Sequence, residues 1–119
     1  PGGWVTYSDA WKARALGVPE ALLAGPGAVS PEVAAAMVAG ARERAGTDAA
    51  LAVTGVAGPG DARSPSGAVL PAGTFHVAAV VPGRAVEVRS HFVPLDRVTV
   101  QRRAAVAALD LLRRLLPPG

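Results

Sequence analysis

The chain has 119 residues, half of them hydrophobic and 18% charged, with a net charge of +3 and no cysteine. That length fits one domain around one core, and the apolar content excludes a disordered tail. The lack of thiols excludes disulfides, thiolate metal sites and a cysteine nucleophile, and fits a reducing, cytoplasmic setting. The scattered Lys and Arg and the 4% aromatic content argue against nucleic acid as a partner. No apolar run approaches the roughly 20 residues that a membrane span needs.

In chain order, Trp4 to Tyr7 mixes aromatic and β-branched residues after Gly2-Gly3 and reads as a short strand. Ser8 and Asp9 offer caps for a helix from Asp9 to Leu16, and Gly17 sits where a left-handed C-terminal cap belongs. Pro19-Glu20 opens a short apolar turn that Gly25-Pro26-Gly27 ends. Ser30-Pro31-Glu32 joins a capping hydroxyl, a proline at the first helical position and an acid in the first turn, so a helix should run through Ala45. Ala49 to Thr54 is a continuous apolar run of strand length, the pattern of a strand covered on both faces and central in its sheet.

Gly55 to Gly73 is too rich in Gly and Pro for any regular element, and so long a connection is often functional. Thr74 to Val81 and Ala85 to Val93, separated by Pro82-Gly83-Arg84, read as an antiparallel hairpin. Asp96 caps a last helix, in which Val100, Ala104, Ala107, Leu111 and Leu115 recur at three- and four-residue spacing up to Pro117-Pro118. This element order predicts a single α/β domain over residues 1–119, with helices packed on a sheet of mixed direction.

Three stretches could carry chemistry. Tyr7, Ser8, Asp9 and Lys12 stand where a strand passes into a helix, with Lys12 on the same helix face as Ser8; a desolvated lysine there could serve as a base, and a solvated, capped helix start is the plain alternative. Thr54-Gly55-Val56-Ala57-Gly58-Pro59-Gly60 follows the apolar strand and could offer backbone N–H groups to an anion, although it matches neither phosphate-loop pattern. Arg97, Arg102 and Arg103 open the last helix and could clamp a phosphate or carboxylate, or simply form a solvated face. His76 and His91 lack companions at ligand spacing, so no metal site is expected and His76 reads as a satisfied sheet residue. Ser64, Ser66 and Ser90 lack the glycine pattern of a nucleophile elbow.

Taken in order, Gly3-Trp4-Val5-Thr6-Tyr7-Ser8 with Lys12, Leu16-Gly17-Val18, Gly27-Ala28-Val29-Ser30, Val53 to Pro59, Gly73-Thr74 and Asp96-Arg97 resemble CinA C-terminal domains along nearly the whole chain. The resemblance implies a three-layer α/β/α domain that often dimerises. It implies hydrolysis of the carboxamide of nicotinamide mononucleotide to nicotinic acid mononucleotide and ammonia, with no metal or cofactor. By the same resemblance Tyr7 and Lys12 are catalytic, orienting the substrate or nucleophile and supporting proton transfer. Thr54, Gly55, Ala57, Gly58 and Pro59 line the nucleotide pocket, and Arg97 and Arg102 are candidates for its phosphate.

Three departures from the family accompany it. The segment Ala-Glu-Ser-Cys-Thr-Gly-Gly that supplies the family's proposed serine nucleophile is absent, together with the strand before it and the helix after it. The domain is therefore expected to be incomplete at its N-terminus, to leave Trp4 to Tyr7 without a neighbouring strand and to expose apolar surface that favours self-association. Leu95 stands where the family usually has Gly, and Gln101 where it often has Arg. The loop before Gly73-Thr74 reads Pro71-Ala72 and is a few residues longer than usual. Two functional readings follow: an amidase, or a catalytically dead nucleotide-binding or assembly module of the same fold.

Overall fold

The structure is a computed structural model that describes residues 1–118. Helix α1 (Asp9–Leu16) begins where the Ser8 hydroxyl accepts the Trp11 N–H at 3.1 Å, and it ends at Gly17 in the left-handed region, φ 68°. After the single turn of α2 (Glu20–Ala24) comes α3 (Pro31–Ala45), started by the Ser30 hydroxyl, which accepts from Val33 N–H at 3.2 Å and itself donates to the Gly27 carbonyl at 2.7 Å. Both caps are those the residue types predict, because capping needs only groups within about one turn.

The main sheet comprises β1 (Ala50–Gly55), β4 (Thr74–Val80) and β5 (Glu87–Phe92) in the order β1-β4-β5. A small ribbon, β2 (Ala62–Arg63) with β3 (Val69–Leu70), lies inside the long glycine-proline connection, a regular element where the composition argued for none. It is closed by Ser64 N–H to the Ala68 carbonyl and by Gly67 at φ 88°. Helix α4 (Arg97–Leu115) closes the chain, with the Asp96 carboxylate accepting the Thr99 N–H at 3.2 Å.

Because strand side chains alternate, the sheet has two apolar faces. Ala52, Ala78 and Val80 pack against Val33, Ala34, Met37 and Val38 of α3 and Leu16 of α1. Phe75, Val77 and Ala79 pack against Val100, Ala104, Ala108, Leu111 and Leu115 of α4. The three-layer α/β/α architecture thus follows the expected class.

Three expectations differ from what is observed. Both pairings of the main sheet are antiparallel, so its direction is not mixed. A parallel pair needs a crossover connection, usually a helix, and none lies between β1, β4 and β5. Strand β1 is covered on both faces, as its unbroken apolar run requires, but it is an edge strand with β4 at the centre. Its composition reports what covers it and says nothing about hydrogen-bonded neighbours. Trp4 to Tyr7 is not a strand, since a strand needs a partner and residues 1–7 make no ladder.

Candidate functional site

The free edge of β1, the inner side of α4, α1 and residues 1–7 enclose an open groove of about 900 Å³. Most of its wall is apolar, contributed by β1 and by Val100, Ala104 and Leu112 of α4. Lys12, Arg97, Tyr7, Thr54 and Gln101 supply most of its side-chain polarity, and no carboxylate lines it among the described residues.

Lys12 is held by the first helix. Only 9% of it is exposed, although it sits on an eight-residue helix with a weakly apolar sequence. Its ammonium donates to the Thr6 carbonyl at 3.0 Å, a bond that ties residues 1–7 to α1. Burial pushes its pKa below the usual lysine range, and Asp9 opposes that shift only in part. The Ser8 hydroxyl, expected beside Lys12, is occupied as the α1 cap instead. Tyr7 borders the groove but is 91% exposed, and its hydroxyl has no protein partner among the described residues.

At the far end of β1 the Thr54 hydroxyl donates to the Ala28 carbonyl at 2.6 Å, which fastens the strand to the loop before α3. Gly55, Val56 and Ala57 line the groove, whereas Gly58 and Pro59 lie outside its lining. The Val56 N–H is already bonded to the Thr74 carbonyl at 2.8 Å, so the loop is only partly open to an anion. A Cβ at Gly55 would stand 2.8 Å from the Thr74 carbonyl oxygen, which explains a glycine at this close approach of two backbones.

Arg97 reaches across from α4 and donates to the Gly58 carbonyl, 39 residues earlier in the chain, so the helix start and the glycine-proline loop hold each other. Arg102 and Arg103 are exposed and outside the groove lining. The side chain that shares Arg97's side of the helix is Gln101, four residues on, while Arg102 is turned by a further 100° or so. Helical spacing alone would have picked out Gln101. The Lys12 bond to the Thr6 carbonyl had no signal in the sequence, because any backbone carbonyl could have filled that role. Away from the groove, His76 Nδ1 pairs with Ser90 Oγ at 2.8 Å across neighbouring strands, as a satisfied sheet histidine should.

No helix among the described residues is long and apolar enough to cross a membrane. Comparison with known proteins supplies the family. A CinA-like protein of Frankia casuarinae is 48% identical over 115 residues, and one of Geobacter metallireducens is 49% identical over 112. These alignments take in 97% and 94% of this chain, which spans about a quarter of the length of either relative. Among solved structures, the competence/damage inducible protein CihA of Agrobacterium tumefaciens superposes with a TM-score of 0.83 at 33% identity, covering 93% of this chain and 66% of that one. A CinA superfamily protein of Escherichia coli superposes with the same TM-score at 36% identity, covering 94% and 62%. The CinA C-terminal domain model matches residues 1–116, and the chain belongs to that family.

Proposed function

We propose that the chain forms the substrate pocket of a nicotinamide-nucleotide amidase, which converts nicotinamide mononucleotide and water to nicotinic acid mononucleotide and ammonia. The observation that carries this reading is the charge of the groove. Its charged side chains among the described residues are Lys12 and Arg97, both cationic, set in an apolar wall. The anionic phosphate of the nucleotide complements those two cations, and its flat ring can lie against the apolar wall. In this reading Arg97 takes the phosphate. Lys12, whose charged form burial disfavours, accepts the proton of the attacking water and returns it to the departing nitrogen. The Tyr7 hydroxyl orients the group under attack. The reading carries with it a cytoplasmic protein that works as a dimer.

A second reading is favoured by a separate observation: the Lys12 amine is already engaged by the Thr6 carbonyl, and Tyr7 is 91% exposed, so neither is held against a reacting group. It makes the chain a binding module that holds the nucleotide without cleaving it. Ammonia release and nicotinamide mononucleotide binding by the purified chain, with Lys12→Met as control, separate the two. Release that the control abolishes supports the amidase. Binding without release supports the module, and absence of both refutes the pair.

A further inference from the structure

Gln101 is an exposed residue of α4 outside both apolar clusters. Its side chain is exposed to the groove, and its amide makes no hydrogen bond to protein among the described residues. Neighbouring groove residues on the same helix, Val100, Ala104 and Leu112, are apolar. The one other polar side chain that this helix presents to the groove is Arg97, one turn earlier. Arg97 uses one guanidinium nitrogen on the Gly58 carbonyl and keeps further N–H groups for a ligand. A planar amide and a guanidinium side by side on one wall, with no carboxylate opposite, form a donor pair for an oxyanion.

We propose that Gln101 sets how strongly the groove discriminates for phosphate. Its amide N–H donates a second hydrogen bond to the phosphate monoester that Arg97 holds, and because it is neutral it limits this wall to a single guanidinium. The ligand class is a nucleoside monophosphate, in preference to the matching nucleoside. The inference rests on the nucleotide reading given above, but it concerns binding and not cleavage.

The test compares equilibrium binding of nicotinamide mononucleotide and nicotinamide riboside to the wild-type chain, Gln101→Leu and Gln101→Arg, with ammonia release recorded in parallel. Removing a hydrogen bond from a neutral amide to the charged phosphate should weaken mononucleotide binding by about 10-fold or more, and a second guanidinium should tighten it by about 10-fold or more. Riboside binding should not change in Gln101→Leu and should not tighten in Gln101→Arg, whose added charge repels the cationic ring of the riboside, so the mononucleotide-to-riboside ratio should rank Arg above Gln above Leu. A merely structural role for residue 101 would move both ligands together, and thermal melts of the three proteins should coincide because the side chain is exposed. An unchanged ratio across the three proteins overturns the proposal, as does failure of wild type to bind either compound. If the ratio moves as stated while no ammonia appears, the phosphate assignment stands and the amidase reading falls. If ammonia appears and the ratio does not move, the reverse holds.

Discussion

Gly40 lies buried in the middle of α3, where helix propensity alone favours alanine by about 1 kcal/mol. A Cβ at this position, however, would lie on the carbonyl oxygen of Leu16, 2.8 Å from its carbonyl carbon and 3.2 Å from its Cα. These are backbone atoms at the C-terminal end of α1 and cannot swing aside as a side chain would. Gly40→Ala must therefore push α1 off α3, disturbing the contact in which Leu16 and Met37 are buried. Overpacking of this kind costs about 1–3 kcal/mol, with rigid neighbours at the upper end; subtracting the propensity gain leaves a net loss of about 2 kcal/mol. At roughly 4 °C per kcal/mol for a domain of this size, the melting temperature should fall by about 8 °C. Circular-dichroism melts and urea titrations of Gly40→Ala would measure it, with exposed Ala39→Gly on the same helix as the propensity control. Because α1 carries Lys12, ligand affinity should fall as well. A Gly40→Ala protein as stable as wild type, or more stable, would show that the two helices do not meet as closely as the structure has them.

Further outcomes follow from single contacts. Thr54→Val keeps the shape of the side chain but leaves the Ala28 carbonyl without its donor, and should cost about 1–3 kcal/mol in urea unfolding. Ser30→Ala removes both the α3 cap and the bond to the Gly27 carbonyl, and a loss of about 1–2 kcal/mol is expected by the same measurement. For His76, burial is the leading cause of a pKa below 6.5, with Glu32 opposing it and His91 adding to it. The folded state therefore binds this proton less readily than the unfolded chain. The contribution of His76 to stability is full above 6.5 and is lost as pH falls from there toward the lower folded pKa. A melting temperature that declines between pH 7 and 5 in wild type, and declines less in His76→Gln, is the expected pattern. For Lys12 the sign is analogous: burial depresses its pKa, so the charged form costs stability at neutral pH and the cost is relieved as pH rises toward 10.5. Lys12→Met should thus melt at a higher temperature than wild type at pH 7 while losing any ammonia release, and a lower melting temperature would contradict the desolvation account.

Much of the fold was legible in the sequence because its signals are local. Ser8, Ser30 and Asp96 cap the helices they were expected to cap, and each does so through an N–H three residues ahead. Gly17 sits in the left-handed region for the reason that its position after Leu16 suggests. The hairpin across Pro82-Gly83 needs no information beyond its own strands. The family was likewise readable from short motifs in a fixed order; of the residues they single out, Tyr7, Lys12, Thr54, Gly55, Ala57 and Arg97 border the groove, and Gly58, Pro59 and Arg102 do not.

What the tertiary structure alone decided concerns neighbours. An apolar run such as Ala50–Gly55 demands cover on both faces, which α3 and α4 provide, but it does not specify how many strands flank it, and β1 proved to be an edge. The chain therefore presents a groove there, and Lys12 turns from the Ser8 hydroxyl toward the Thr6 carbonyl inside it. The choice between Gln101 and Arg102 was also made by packing: a helix turns about 100° per residue, so once Val100, Ala104 and Ala108 face the sheet, only one side of α4 remains for the groove. Residue types and spacing determine which elements form and where they stop. Which edges stay open, and which side chains meet across them, depends on contacts between residues far apart in the chain, and those are settled only when the layers pack.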